Sequence, residues 1–550
     1  MSVTPELRSD VEAWIGDDPD DATRSELSQL LHEAERDEGA AAELIDRFSG
    51  NLQFGTAGLR GALAAGPNRM NRAVVIRAAA GLAAYLTARA GTGTVVIGYD
   101  ARHNSDVFAR DTAQVMQGAG LHAELLPRPL PTPVLAFAVR HLGAVAGVMV
   151  TASHNPPRDN GYKVYLGDGT QIVSPADAEI SREIAKVASV RDVPLAQGEG
   201  VLGDDLVDAY LDAVAALPRP VSPRALSMVY TPLHGVGAAT AGEVLRRAGF
   251  AAPTVVRQQA EPDPDFPTVA FPNPEEPGAL DLALALAEQR GADLVVANDP
   301  DADRCAVAVP TGTGWRMLRG DELGVLLASH LLQRGIRGVF ATTVVSSSLL
   351  GRMACAHGVG YQETLTGFKW IGRVEGLGYG YEEALGYCVA PDLVRDKDGV
   401  SALLRVAELA AELKASGSSL LERLDDIARE YGVHATDQLS VRVDDLARIG
   451  EIMAHLRQSP PHRLGGLAVE TVEDMREGTA ELPGTDALRY HLASGGRVVV
   501  RPSGTEPKLK CYLEVVIPAA TVASDLPAAR AAAAARLDAI RTDLTSAAGL

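Results

Sequence analysis

Four cysteines in 550 residues leave little room for cysteine chemistry. Cys305, Cys355, Cys388 and Cys511 stand far apart and form no CxxC pair. Neither a disulfide framework nor a zinc site is expected, and a reducing, cytoplasmic setting is. Positive charge is also scarce: 51 Lys and Arg against 71 Asp and Glu leave a net charge of −20. That balance argues against nucleic acid as a partner, and an anionic ligand would have to be met by local cationic pockets. No apolar run approaches the roughly 18 residues of a membrane helix, so no membrane partner is expected. The start, Met1-Ser2-Val3-Thr4-Pro5-Glu6, has neither basic residues nor an apolar core and predicts no secretory leader. What remains is 46% apolar and 22% charged, the composition of a globular protein, and long enough for three or four domains.

The most informative stretch is Thr151-Ala152-Ser153-His154-Asn155-Pro156. The apolar run Val145–Val150 before it predicts a buried strand. Asn155-Pro156-Pro157 keeps the backbone from entering a helix, because the residue before proline is pushed to extended geometry. Ser153 is thus expected at the tip of a stiff strand-end loop, where ligands bind in α/β folds. Earlier in the chain, residues 1–50 read as acidic helices. Gly55-Thr56-Ala57-Gly58-Leu59-Arg60-Gly61 sets glycines around Arg60, either a tight loop that lets a ligand approach or an ordinary turn. Val95–Asp100 predicts a second strand ending in Ala101-Arg102-His103-Asn104-Ser105. Beyond Ser153, Asn160-Gly161 predicts a turn that opens a strand at Lys163. Lys163 is either an acid/base reaching toward Ser153 or a solvated lysine.

The pattern restarts near Asp204. A strand at Leu226–Tyr230 runs into the glycine-rich Thr231-Pro232-Leu233-His234-Gly235-Val236-Gly237. Residues 261–277 are rich in proline and acid and predict an exposed loop. The strand Ala292–Ala297 then delivers Asn298-Asp299-Pro300-Asp301-Ala302-Asp303-Arg304. Carboxylates at alternate positions repel one another without a cation, and oxygen-only ligands suit Mg²⁺ or Ca²⁺. An EF-hand is excluded, since the sixth and twelfth places from Asp299 hold Arg304 and Pro310. An aspartyl-nucleophile phosphatase or a plain acidic turn are the other readings. A phosphate on Ser153 would complete a Mg²⁺ shell.

A third unit contains Val339–Val345 ending in Ser346-Ser347-Ser348, then Thr366-Gly367-Phe368-Lys369-Trp370, and then Tyr381-Glu382-Glu383-Ala384-Leu385-Gly386-Tyr387. Arg395-Asp396-Lys397-Asp398 follows. Aromatics with carboxylates suit a sugar, although each residue singly also fits a charged loop on a core strand. In the last unit a short strand at Val498–Val500 precedes Arg501-Pro502-Ser503-Gly504-Thr505-Glu506-Pro507-Lys508, a phosphate cradle of arginine, hydroxyls and free amides. The alanine-rich tail after Ala519 predicts a terminal helix.

Four of these loops, in this order, resemble the α-D-phosphohexomutase superfamily of phosphoglucomutases and phosphomannomutases. TASHNP resembles its phosphoserine loop, DPDADR its metal loop, GYEEALG its sugar loop and RPSGTEP its phosphate loop. The resemblance implies an α/β fold: three similar mixed-sheet α/β domains plus a C-terminal α+β domain around a central cleft. The implied domains are 1–204, 205–318, 319–437 and 438–550. It also implies roles. Ser153 is the phosphorylated serine and a metal ligand with Asp299, Asp301 and Asp303 for Mg²⁺. Lys163 is an acid/base and His154 and Arg60 join it at the catalytic centre. Arg304, Lys369, Glu382, Glu383, Lys397, Arg501, Ser503, Gly504 and Thr505 are the substrate contacts. Many members carry Glu-x-Ser in the sugar loop, where this chain has Ala384, and a histidine where it has Tyr387. GYDARHNSD, TLTGFKW and YEEALGY look more like a subgroup that includes phosphopentomutases and glucose-1,6-bisphosphate synthases.

The implied activity interconverts sugar 1-phosphates and 6-phosphates of glucose or mannose, through a phosphoserine and a sugar 1,6-bisphosphate. The alternatives are a pentose substrate, ribose 1-phosphate to 5-phosphate, or bisphosphate synthesis. Glucose 1,6-bisphosphate would be an activator, sugar phosphates the only partners, and the chain a monomer or weak dimer. A serine hydrolase would leave the aspartate loop idle, and Ser153 lacks a G-x-S-x-G turn. A sugar-phosphate-binding protein without catalysis would carry no phosphate on Ser153.

Overall fold

The computed structural model describes residues 3–55, 58–442, 446–479, 482–503 and 508–549. The chain forms two compact units, Met1–Met317 with Gly386–Glu412, and Leu318–Leu385 with Leu413–Leu550. Both are built of α/β layers, with the last sheet of the second unit antiparallel throughout.

The first unit opens with three helices, Pro5–Asp17, Asp21–Glu33 and Glu38–Arg47, capped by Thr4, Asp20 and Asp37. Their apolar faces meet in a small core of Val11, Leu27, Leu31 and Leu44. A six-stranded sheet follows, in the order Leu59–Ala62, Asp159–Leu166, Ala146–Val150, Thr94–Tyr99, His122–Leu125, Gly200–Val201. Its first two pairings are antiparallel and the rest parallel. The second sheet repeats this plan: Trp315–Met317, Ala306–Pro310, Leu294–Ala297, Met228–Thr231, Thr254–Val255, again antiparallel, antiparallel, parallel, parallel. In both sheets a fully buried central strand runs into a loop and returns as an antiparallel neighbour. In the first sheet that loop holds Ser153, and in the second Asp299, Asp301 and Asp303. Parallel strands buried on both faces read as unbroken apolar runs, which is why Ala146–Val150 and Leu294–Ala297 are legible.

Two expectations are corrected here. The Asn160-Gly161 pair is not a turn; it lies inside the strand Asp159–Leu166. Gly161 is needed there because a Cβ would sit 2.5 Å from the Thr151 carbonyl oxygen and 3.0 Å from that of Leu59. The helix Arg72–Ala90 is, against the expectation of no such segment, long and apolar enough by length and composition to cross a membrane. It is buried along most of its length against the helices Ser105–Gly118 and Ala176–Ile184, which accounts for its apolar composition.

In the second unit, the strands Gly360–Thr364, Val339–Thr343 and Leu377–Glu382 pair in parallel, with Val339–Thr343 between the other two, in a third sheet whose edge is Gly360–Thr364. The last of these delivers Glu382 and Glu383 at its end. The fourth sheet is antiparallel, in the order Val433–Arg442, Lys508–Ile517, Arg497–Pro502, Leu488–Leu492, Leu467–Asp474, Arg463–Leu464. The expected terminal helix spans Leu526–Ala547, and it is more than a tail: Ala529, Ala533, Leu537, Ile540 and Leu544 enter the core of this sheet.

Candidate active site

Ser153 follows the buried strand Ala146–Val150 and is itself only 3% exposed. Its φ of 52° lies in the left-handed region, which a non-glycine residue occupies only where the surroundings over-determine it. The loop supplies that determination. Thr151 Oγ1 accepts from the Ser153 amide at 2.9 Å. The Arg102 guanidinium donates to the carbonyl oxygens of Ser153, Asn155, Pro156 and Asp159. The Ser153 hydroxyl then points at the aspartates, donating to Asp299 Oδ2 at 2.8 Å, with His154 Nδ1 3.2 Å from Oγ.

Asp299, Asp301 and Asp303 are all fully buried, and each offers an oxygen within 4.8 Å of the others. Lys163 Nζ donates to Asp301 Oδ2 at 2.7 Å and to Asp303 Oδ2 at 2.9 Å. Lys397 Nζ stands 3.4 Å from Asp303 Oδ2. These neighbours divide the triad. Burial raises the Asp303 carboxyl, but Lys163 and Lys397 outweigh it and hold it below the usual range. Asp301 is likewise held down by Lys163 against burial and Asp303. At Asp299, burial with the charge of Asp301 and Asp303 outweighs Arg304 and the Ser153 hydrogen bond and pushes the carboxyl well up. Lys163 loses charge stability to burial but regains more from Asp301 and Asp303, so its ammonium is held above the usual value. Burial, with the charges of Arg304 and Arg60, pushes the His154 imidazole well below its ordinary range. Arg60 Nη1 donates to Asn155 Oδ1 at 3.1 Å and so borders the serine loop. Arg304 stands with Nε 3.8 Å from Asp299 Oδ2.

The fit to a cation rests on the oxygens left over. Asp301 Oδ1 and Asp303 Oδ1 are buried and accept no hydrogen bond from the described residues, a costly state for a carboxylate oxygen. An all-oxygen donor set of three carboxylates beside a serine hydroxyl matches Mg²⁺, which takes few protein ligands and completes its shell from phosphate.

Three supports of this centre carry no signal strong enough to be singled out from sequence. Thr132, between Pro131 and Pro133, donates its hydroxyl to Asp301 Oδ2 at 2.6 Å and its amide to the Asp301 carbonyl at 2.9 Å. Gly235 lies so close to Pro300 that a Cβ would fall 2.3 Å from the Pro300 Cα. Arg102 reads from sequence only as a cation at a strand end. Most of the proline- and acid-rich segment 261–277 is exposed, as predicted, but Phe266 is 3% exposed and its ring lies 5.0 Å from the Arg102 guanidinium carbon.

The second unit holds the remaining candidates. Glu382 is buried at the end of its strand. Glu383 Oε2 accepts from Thr343 Oγ1 at 3.1 Å and Ser346 Oγ at 3.0 Å, so that carboxylate braces the loop, and burial raises its carboxyl. Lys369 is half-buried on the short helix Phe368–Ile371, but Phe368 turns into the core and is no platform for a ring. Arg501 lies directly across the antiparallel pair from Lys510, which sets two cations side by side. The Ser503 amide donates to the Lys508 carbonyl at 2.8 Å. Gly504 and Thr505 lie outside the described residues.

Comparison with known proteins agrees along the chain. Residues 51–191, 208–312 and 319–431 match the phosphoglucomutase/phosphomannomutase alpha/beta/alpha domains I, II and III, and residues 440–530 match the C-terminal domain of the same proteins. A protein of Haemophilus influenzae described as a probable phosphomannomutase is 49% identical over 453 residues, covering 81% of this chain and 93% of its own. The phosphopentomutase of Mus musculus is 35% identical over 575 residues, covering 94% and 92%. The crystal structure of a phosphoglucomutase/phosphomannomutase family protein from Burkholderia thailandensis superposes with a TM-score of 0.70 over 90% of this chain and 97% of its own, at 20% identity.

Proposed function

The chain belongs to the phosphoglucomutase/phosphomannomutase family and is an enzyme of the mutase class, and from that premise we propose that it interconverts the 1-phosphate and 6-phosphate of glucose or mannose through a phosphoserine at Ser153. The observation that carries this reading is the Ser153 hydroxyl 2.8 Å from Asp299, inside a buried carboxylate triad with two unpaired oxygens.

The two ends of one sugar are too far apart for direct transfer, so the phosphate has to pass through the enzyme. Phosphorylated Ser153 gives its phosphoryl group to one sugar hydroxyl. The P–O bond to Oγ breaks as the bond to the sugar oxygen forms, leaving a free serine and a sugar 1,6-bisphosphate. After the bisphosphate turns over, its other phosphate returns to Ser153. Lys163 and His154 are the proton-transfer groups in reach of the reacting oxygens. Asp299, Asp301 and Asp303 would hold Mg²⁺ together with the serine loop, and the bound ion would supply charge stabilisation for the transferring phosphoryl group. Arg501 and Ser503 bind the phosphate that stays on the substrate, and Glu382 reads the ring hydroxyls. Lys397, whose Nζ stands 3.4 Å from Asp303 Oδ2, joins the substrate contacts. A bisphosphate that escapes leaves a dephosphorylated serine behind, which makes glucose 1,6-bisphosphate the expected activator. The setting is cytoplasmic and the protein a monomer or weak dimer.

A pentose substrate is the second reading, favoured by the near full-length match to the mouse phosphopentomutase. A coupled assay of glucose 1-phosphate, mannose 1-phosphate and ribose 1-phosphate, compared by kcat/KM, tests both. A hexose preference supports the first reading, a ribose preference replaces it with the second, and turnover of none refutes both.

A further inference from the structure

We propose that Arg102 is a positioning residue for phosphoryl transfer: its guanidinium holds the serine loop in the conformation that aims the Ser153 hydroxyl at the aspartate triad. The inference rests on Ser153 being the phosphoryl carrier.

The guanidinium is spent on one short stretch of backbone. Nη1 donates to the carbonyls of Pro156 at 2.8 Å and Asp159 at 3.1 Å. Nη2 donates to those of Ser153 at 2.7 Å and Asn155 at 2.6 Å. The side chain is wholly buried, with Nε 3.4 Å from Asp100 Oδ2. The ring of Phe266 covers its face. Asp100 in turn accepts from the Arg102 amide at 3.0 Å and from Ser105 Oγ at 2.6 Å, which fixes the base of the clamp.

Pro156 also accepts from the Asp159 amide at 3.1 Å, a bond within the loop itself, and Arg102 is the side chain that ties all four carbonyls to one rigid group. Asn155-Pro156-Pro157 excludes a helix, and the strand ladder resumes only at Asp159. Without the arginine, the carbonyls of Ser153, Asn155, Pro156 and Asp159 would each lose one donor, and the Ser153 backbone at φ 52° would lose the contact that offsets its strain. A planar fork with two forward-facing amino groups spans all four oxygens; an ammonium on a single atom does not. Arg102 acts through the loop rather than on the substrate. Its loss therefore disturbs Ser153 in both half-reactions and leaves substrate binding alone.

The test compares full-length Arg102→Lys and Arg102→Ala with wild type, reading kcat, KM for glucose 1-phosphate, the rate at which glucose 1,6-bisphosphate phosphorylates Ser153 by intact mass, and Tm. A displacement of about 1 Å at a reacting group costs on the order of 100-fold in rate. The expected result for Arg102→Lys is a kcat loss of that order, slowed phosphorylation, a KM within about twofold of wild type, and a folded chain. Added guanidinium should restore part of kcat to Arg102→Ala while leaving its Tm no higher. Wild-type kcat in Arg102→Lys would overturn the proposal. So would a KM rise that accounts for the whole loss, or loss of the fold in both variants, which would make Arg102 a stability residue only. A wild-type chain that never carries phosphate on Ser153 would instead refute the parent reading, and this one with it.

Discussion

Gly235→Ala tests whether the aspartate loop must be placed to within an ångström. The substitution adds one methyl group against the backbone of the aspartate loop. Its Cβ would lie 2.3 Å from the Pro300 Cα, 2.4 Å from the Pro300 oxygen and 2.7 Å from its carbonyl carbon, where ordinary contact begins near 3.4 Å. All three are backbone atoms, so no side chain can rotate away. The backbones at 235 and 300 therefore part by about 1 Å. The Val236 amide, which donates to the Pro300 carbonyl at 2.8 Å, resists that shift from the other side. Pro300 sits between Asp299 and Asp301, so the displacement reaches both carboxylates. Overpacking of this size costs about 1–3 kcal/mol of local stability. At the reacting centre, a misplacement of about 1 Å is worth roughly 100-fold in kcat. A disturbed ligand set also weakens metal affinity by about 10- to 100-fold. The assay is turnover of glucose 1-phosphate against a Mg²⁺ titration, with calorimetric Tm alongside. The expected outcome is a lower kcat, a Mg²⁺ curve shifted to higher concentration and a KM for sugar phosphate near wild type. Wild-type kcat and Mg²⁺ dependence in a folded Gly235→Ala would refute the close-packing argument.

Ser153→Ala should carry no phosphate by intact mass and should lose nearly all turnover while still binding glucose 1-phosphate; turnover near wild type sinks the phosphoserine route. Arg501→Ala should raise KM by about 10- to 150-fold, because a charge-assisted hydrogen bond is worth about 1.5–3 kcal/mol. It should leave the glucose-to-mannose ratio alone, and a changed ratio with an unchanged KM would move Arg501 out of phosphate binding. Glu514 gives a pH prediction. Burial opposes its charge, but Arg497, His434 and Ser347 outweigh it and hold the carboxyl down at about 2, against an ordinary 4.5. A depressed folded value stabilises the fold above the unfolded one and is lost on acidification. Chemical unfolding should therefore show stability falling between pH 4.5 and about 2, and Glu514→Gln should flatten that slope. An equally steep fall in the variant would assign it to other carboxylates.

Much of the centre is legible from sequence because its residues stand where a buried strand stops. Ser153 and the triad follow apolar runs that only a two-sided sheet accommodates, and their chemistry breaks those runs abruptly. Their supports are not legible in the same way. Thr132 meets Asp301 across 169 residues, and Arg102 meets Ser153 across 51. Neither Pro-Thr-Pro nor a strand-end arginine states which distant carboxylate or carbonyl it will find. Asn160-Gly161 misleads for the opposite reason. Its local preference is for a turn, and the tight pairing of Leu59–Ala62 and Ala146–Val150 on either side of Asp159–Leu166 overrides it. Phe368 and Trp370 flank Lys369 in sequence, but the helix Phe368–Ile371 sends Phe368 inward. The helix Arg72–Ala90 shows that scattered arginines can interrupt every long apolar run without making a segment polar overall.

The recurring strand–loop–strand plan has an evolutionary reading. In two sheets the central strand hands the chain to a loop of polar side chains, a serine and histidine in one and carboxylates in the other, and in the third sheet a strand ends likewise in Glu382 and Glu383. If one ancestral module was copied, each copy inherited a ready-made platform and only a handful of tip residues had to change. Drift in one copy then leaves the others intact, so a lineage can acquire a new sugar without reinventing phosphate transfer. The same independence makes residues 382–385 a natural cassette for exchange between enzymes of unlike substrate, with the rest of the chain kept as host.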